Sequence, residues 1–366
     1  MRAQRSLIAL TMVAGTVMSA PPAASAAPDP AVVMQGRLVE LSTLELGYAD
    51  MHAVNGRGDI IGSSTSDFGG RAVIWPYDTR TPITLPFVGG RVAAVNEHGD
   101  VVGTAHVDGF LWHNGVETII AHQGGAEVVP TDVNDSRTVV GNLMFPGSTR
   151  TRAFTWRAGV FTELPTPPGR SSVAYGINNR GQVLGAVTGD GDPQPVLWQR
   201  GAMRRLPATL QVVGLNDHGQ VLANSRPSVD GTQRPYLWHR GRLQALLAGT
   251  DRTSATATAL NNAGDVVGTS ARRPFLWHDG QLTEIDVGPA TIPTGFLNDR
   301  SDVAATTIEV SDGRPAAYRW RAGRATVYPA PAGVTNVVVK GIDNRGRVVG
   351  EYVTADDHSV VFRSAG

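Results

Sequence analysis

Apolar residues in this chain fall in short runs separated by polar residues, Gly and Pro. No stretch sustains the i, i+3, i+4, i+7 spacing of a helix face, so the pattern predicts strands and turns throughout. One element recurs with a turn at its centre. It reads Val54-Asn55-Gly56-Arg57-Gly58-Asp59-Ile60-Ile61-Gly62 first. It returns as VNEHGDVVG at 95–103, VNDSRTVVG at 133–141, INNRGQVLG at 177–185 and LNDHGQVLA at 215–223. LNNAGDVVG at 260–268, LNDRSDVAA at 297–305 and IDNRGRVVG at 342–350 complete the set. The Asn stands at 55, 96, 134, 178, 216, 261 and 298, with Asp343 in the eighth copy, at intervals of 37 to 45 residues. Each copy predicts a hairpin. Asn opens the turn because its side chain can bond the backbone two residues on, and Gly closes it where the chain wants φ > 0.

A second run follows each hairpin: RAVIW at 71–75, DGFLW at 108–112, RAFTW at 152–156, QPVLW at 194–198, RPYLW at 234–238, RPFLW at 273–277, AAYRW at 316–320 and HSVVF at 358–362. All seven Trp share this one phase, with Phe362 in the eighth place. A third run comes after a Gly-containing turn, as in NGVETII at 114–120 and AGVFTELP at 158–165. Four short antiparallel strands per ~41 residues, eight times over, predict an all-β fold: an eight-bladed β-propeller. The Trp residues lie inside apolar strands, so they are expected in the core between neighbouring blades, against a sugar-stacking ring as the competing role.

The chain reads out of phase at both ends. Residues 37–41 look like a fourth strand with no blade before them, and residues 359–362 end a blade that lacks its fourth strand. They are expected to pair and close the ring, because an open array would leave two bare sheet edges. Ahead of this, Arg2 and Arg5, the apolar stretch from Leu7 to Met18 and Ala24-Ser25-Ala26 form a secretory signal peptide pattern. The expected organisation is a signal peptide at 1–26 cleaved near Ala26 and Ala27, a short linker at 27–35, and one propeller domain at 36–366, secreted and without a membrane span.

Composition narrows the chemistry. The 366 residues carry 32 Lys+Arg and 32 Asp+Glu, a net charge of zero, which disfavours a nucleic-acid partner. There is no Cys, which excludes disulfides, a thiolate nucleophile and Cys-ligated metals. The strands Ala153-Phe154-Thr155-Trp156, Phe110-Leu111-Trp112 and Phe275-Leu276-Trp277, with the Asn-x-x-Gly-x-Val-Val-Gly element, resemble the H-A-F-L-W signature and companion element of the extracellular HAF-repeat family. The resemblance spans residues ~36–366. The leading His survives only at His358, where the strand ends in Phe362. It implies secretion and a β-repeat fold, and brings no catalytic residues with it.

A residue that recurs at one phase is structural, so chemistry is sought in the departures. His98 and His218 fall in the Asn turns, and His113, His239 and His278 follow the Trp; these five are expected to be solvated turn or strand-end residues. Two places before the Asn the residues are small except Asp132 and Phe296. Three places before it stand His52, Tyr175 and Lys340 among mostly apolar residues. That strand is expected to line the central channel. His52, Asp132 and Lys340 are therefore the candidate catalytic residues, through His–carboxylate acid–base work, and Tyr175 and Phe296 the candidate binding residues. Gly189-Asp190-Gly191-Asp192 offers carboxylates to Ca²⁺ but lacks an EF-hand loop, and reads better as a hairpin tip; no metal or cofactor is implied. H-E-x-x-H, G-x-S-x-G and phosphate-loop spacings are absent from the sequence.

Three functional readings follow. The favoured one is a secreted, monomeric, non-catalytic module that recognises a glycan, peptide or envelope component through its blade-tip loops, of which 67–71, 188–195 and 225–234 are the longest. The alternatives are an extracellular lyase or hydrolase with its site in the funnel, and a self-associating envelope component.

Overall fold

The computed structural model describes residues 33–44, 48–66, 69–189, 191–248, 254–271, 273–285, 295–308 and 313–365. The signal-peptide pattern and Asp190 lie outside these. Among the described residues the regular structure is strand alone, in eight sheets that each take up one repeat. Blade 1 pairs Ala49–Val54, Ile60–Ser66, Gly69–Trp75 and Ile83–Val88 in chain order, and the other blades follow the same antiparallel meander. The first strands of blades 2 to 8 are Arg91–Val95, Glu127–Val133, Ser171–Ile177, Leu210–Leu215, Ala255–Leu260, Phe296–Leu297 and Asn336–Ile342.

The apolar pair after each turn Gly explains how blades stack. Successive strand residues point to opposite faces, so Val101 packs toward blade 1 while Val102 packs toward blade 3. Val139 and Val140 divide in the same way between the layers on either side of blade 3, as do Val266 and Val267 in blade 6. The result is eight apolar layers, one per blade junction, each with its Trp or, between blades 7 and 8, Phe362. Every Trp is buried, the most accessible being Trp112 at 8%, which assigns them to the core as the strand context predicts.

The turns behave as their residues require. Gly58, Gly99, Gly181, Gly219, Gly264 and Gly346 have φ between 72° and 97°, and where Gly is replaced, Arg137 and Ser301 still adopt positive φ. The Gly after the apolar pair answers a different need. A Cβ at Gly62, Gly103, Gly141, Gly185, Gly268 or Gly350 would fall on a backbone carbonyl of the first strand in the same blade.

The ring closes as the out-of-phase ends predict. Leu38–Glu40 runs antiparallel to Ser359–Ser364, with Leu38 opposite Ser364 and Glu40 opposite Phe362. Leu41 N donates to Val361 O, and Ala365 N to Arg37 O. Ahead of this strand, Val33–Gln35, which the sequence places at the end of a linker, adds a parallel fifth strand to Arg324–Pro329 of blade 7. Two arginines of blade 8 rivet the seam to blade 1. Arg363 donates to Tyr77 O at 2.5 Å and Gly58 O at 3.2 Å, and Arg347 to Tyr77 O at 3.0 Å and Arg57 O at 3.2 Å.

Candidate functional site

The recurring Asn is more than a turn residue. In blade 4, Asn178 Oδ1 accepts Arg180 N and Gln182 N within its own turn, while Nδ2 crosses to Asn216 O of blade 5 at 2.9 Å. The same crossing runs from Asn55 to Asn96, Asn96 to Asn134, Asn134 to Asn178, Asn216 to Asn261, Asn261 to Asn298 and Asn298 to Asp343. A second circle lies beside it, in which the residue after each Asn donates its backbone N–H to the next blade. Gly56, Glu97, Asp135, Asn179, Asp217, Asn262 and Asp299 donate in turn to side-chain oxygens of Glu97, Asp135, Asn179, Asp217, Asn262, Asp299 and Asn344 at 2.8–3.0 Å. Asn344 N then donates to Gly56 O at 2.9 Å, because Gly56 has no side chain to offer. One mouth of the channel is thus held by a closed loop of hydrogen bonds through all eight blades.

Inside the channel, the first strands carry a β-bulge. The ladder slips between Met51 and Ala53, Val92 and Ala94, Pro130 and Asp132, Ala174 and Gly176, Val212 and Gly214, Ala257 and Ala259, and Val339 and Gly341. The residue left over in each slip is the one three places before the Asn: His52, Ala93, Thr131, Tyr175, Val213, Thr258 and Lys340. A bulge re-aims its extra side chain, and five of these, His52, Ala93, Thr131, Tyr175 and Lys340, line a central cavity of about 470 Å³. Asp132 and Phe296 line the same cavity, so all five candidate residues meet one space.

They are not joined as a reaction centre would join them. Asp132 Oδ1 accepts its neighbour Val133 N, and Oδ2 accepts Ile177 N of blade 4 at 2.8 Å. The small Gly176 opposite makes room for that carboxylate. Lys340 Nζ donates to Asp50 Oδ1 at 2.8 Å, Glu351 Oε2 at 2.8 Å and Met51 O at 2.9 Å. Asp50 and Glu351 are the residues that sequence reasoning missed. Glu351 had a signal: it follows the Gly of its copy, where the other blades carry Ser63, Thr104, Asn142, Ala186, Asn224, Thr269 and Thr306. That position has a recurring task. Asn142 accepts Ala174 N, Asn224 accepts Ala257 N, Thr306 accepts Val339 N, and Glu351 accepts Met51 N.

The protonation states follow from burial and from this cluster. Burial, and then the hydrogen bond to Asp50, push Glu351 up to about 7, with the Lys340 charge opposing. Burial works against ionised Asp50, but hydrogen bonds from Glu351 and Lys340 hold its pKa below the ordinary carboxylate value. Burial also works against charged Lys340, and is overcome by Glu351 and Asp50, which raise it. His52 shows its ring to the water of the channel, yet the surrounding protein desolvates its charged form. Its pKa falls despite the attraction of Asp50. Burial raises the pKa of Tyr175, leaving a neutral phenol at neutral pH.

Outside the channel, two of the post-Trp histidines, still reached by solvent, also hold a structural partner. His113 Nδ1 bonds buried Asp100, and His278 Nδ1 bonds buried Asp265. These Asp residues are the ones four places after Asn96 and Asn261, so each His ties the third strand to its own turn. Asp192, in the Ca²⁺ candidate, is paired with Arg226 of the neighbouring loop at 2.7 Å. No cluster of three or more His, Asp or Glu with metal-binding geometry occurs among the described residues.

No protein-family model matches the chain, and no curated protein matches its sequence. Solved structures are similar to it. Porphyromonas gingivalis dipeptidyl peptidase 4 aligns at 11% identity over 81% of this chain and 56% of that one, with a TM-score of 0.50. The β-propeller domain of the Trilobed protease from Pyrococcus furiosus aligns at 12% identity over 87% and 96%, with a TM-score of 0.49. Virginiamycin B lyase from Staphylococcus aureus aligns at 11% identity over 90% and 99%, with a TM-score of 0.44. At these identities the likeness bears on the propeller fold alone.

Proposed function

We propose that this chain is an exported, non-catalytic binding propeller whose ligand seats in the central channel, with the long loops of blades 4 and 5 at one rim. The observation that carries the reading is the axial cavity of about 470 Å³, within the range of small-ligand sites and walled by apolar side chains with a few polar ones. The loops of blades 4 and 5 leave the second strands, on the face away from the Asn turns. They are braced together, since Arg226 bonds Asp192 at 2.7 Å and Pro193 O at 3.3 Å. The signal-peptide pattern and the likeness to HAF repeats support export.

The enzyme reading has one observation in its favour. Glu351, with a pKa of about 7, lies beside Lys340 and Asp50, and a general acid is most effective near the working pH. Against it, Glu351 performs the same blade-bridging task as Asn142, Asn224 and Thr306. Its position is accounted for without chemistry.

The test is a glycan, peptide and small-molecule array probed with purified protein from residue 27 onward, with products followed by mass spectrometry. Saturable binding without product is expected. Turnover that Glu351→Gln abolishes would replace this reading with the enzyme one.

A further inference from the structure

The channel also carries information about the class of its ligand, given the reading above that a ligand seats there. The charged groups around the cavity are already engaged. Lys340 has three ammonium protons and three acceptors within 2.9 Å, so it has none left for an incoming anion. Each carboxylate oxygen of Asp132 already accepts a backbone N–H group. An anion entering the cavity would lose its water and meet no free ammonium proton.

Three aromatic rings remain, on different sides of the wheel: His52 on blade 1, Tyr175 on blade 4 and Phe296 on blade 7. Around eight blades these are separated by three, three and two positions. Between them the first strands present small residues, Ala53, Ala94, Gly176 and Gly341 among them, which leave the axis open. His52 and Tyr175 are both uncharged at neutral pH for the reasons given above. The collar therefore offers ring faces and neutral hydrogen-bonding tips, the combination that stacks on a flat ring and orients its hydroxyl groups.

We infer that the channel takes a ligand built around a flat ring and bearing no negative charge, stacked against Tyr175 and Phe296 with a polar group toward His52. An aromatic alcohol and a sugar ring share this chemistry, and the probes separate them. Titration calorimetry is performed on the mature protein with 2-naphthol, cellobiose and 2-naphthoate. Expected is saturation by 2-naphthol, by cellobiose or by both, with 2-naphthoate at least about tenfold weaker. Tyr175→Ala and Phe296→Ala should each weaken the neutral probe about tenfold, while Tyr175→Phe, which keeps the ring, should stay within about threefold. Ala93→Trp places a bulky side chain on the bulge of blade 2, where Ala93 lines the cavity, and should block binding altogether.

Equal affinity for 2-naphthoate and the neutral probes, saturation by none of the three, or indifference to both Tyr175→Ala and Phe296→Ala would overturn the ligand class. The two readings fail separately. Saturation by 2-naphthoate as strong as by the neutral probes, and blocked by Ala93→Trp, would leave the channel site standing and refute only the ligand class. Saturation that Ala93→Trp does not touch would refute both.

Discussion

Asn178 separates a ring-wide hydrogen-bond circuit from a row of independent turns. Its side chain is fully buried and makes four bonds: it accepts Arg180 N at 3.1 Å and Gln182 N at 2.9 Å, and donates to Gln182 Oε1 at 2.7 Å and Asn216 O at 2.9 Å. Asn178→Ala strands Gln182 N in a buried setting and takes from Asn216 O its inter-blade donor, leaving that carbonyl only Gly219 N of its own turn. The orphaned N–H costs about 1–3 kcal/mol and the lost crossing bond about 1 kcal/mol more, so the expected loss is about 2–4 kcal/mol. The acceptor bonds to its own turn would alone account for about 1–3 kcal/mol of this. Asn178→Asp sharpens the distinction. It keeps both acceptor bonds but turns a second oxygen toward Asn216 O and Gln182 Oε1. It should cost as much at pH 7, and recover on acidification as the buried carboxyl, its pKa raised by desolvation, takes up a proton. Blade 8 solves the same problem differently: Asp343 stands in the Asn place and Arg347 binds it at 2.6 Å. The assay is urea unfolding followed by far-UV circular dichroism, read as a midpoint shift at unchanged m. A cost below about 1 kcal/mol for Asn178→Asp at pH 7, with no recovery on acidification, would refute the inter-blade role.

Other outcomes follow from the same geometry. Glu351 has a folded pKa of about 7 against an ordinary 4.5, so the stability it contributes is complete below pH 4.5 and is lost as pH rises toward and through 7. Melting temperature should therefore fall across that window in the wild type and flatten in Glu351→Gln, as scanning calorimetry would show. Gly141→Ala drives a methyl group onto the backbone at Val129 and should cost more than about 2 kcal/mol, against roughly zero for a Gly→Ala change at open, negative-φ Gly70; urea midpoints compare the two. Removing residues up to 41 deletes the Leu38–Glu40 strand and buried Leu41, and should broaden or split the thermal transition, whereas removal up to 32 should leave it intact. Iodide should quench the intrinsic Trp fluorescence only weakly, since each of the seven Trp is at most 8% exposed.

The architecture is legible because a propeller writes each blade into its own ~41 residues. The Asn-x-x-Gly turn, the apolar pair facing both ways and the in-phase Trp each report a local cause, and eight copies repeat it. What the chain does not display is how one blade meets the next. The bulge that turns His52, Tyr175 and Lys340 inward arises from pairing with the second strand, and no residue type announces it. The crossing from Asn55 to Asn96 joins residues a full repeat apart, so a local reading sees only a turn former. Departure from the repeat also proved an ambiguous sign. Asp132 departs because a carboxylate there can hold Ile177 N over Gly176, and Glu351 departs while keeping the bridging task of its phase.

Closure by Leu38–Glu40 imposes an order in time. Its partner strand ends at Ser364, more than three hundred positions downstream. During vectorial synthesis this early segment must wait, unpaired, until the Ser359–Ser364 strand has emerged. Seven sheets can assemble as they appear, each supported by local hairpins, but the eighth depends on the most distant contact in the molecule, the kind that forms slowest. A stalled or prematurely released nascent product is thus left gaping at the junction that Arg347 and Arg363 would fasten, and quality-control proteases have a physical basis for telling it from the finished wheel.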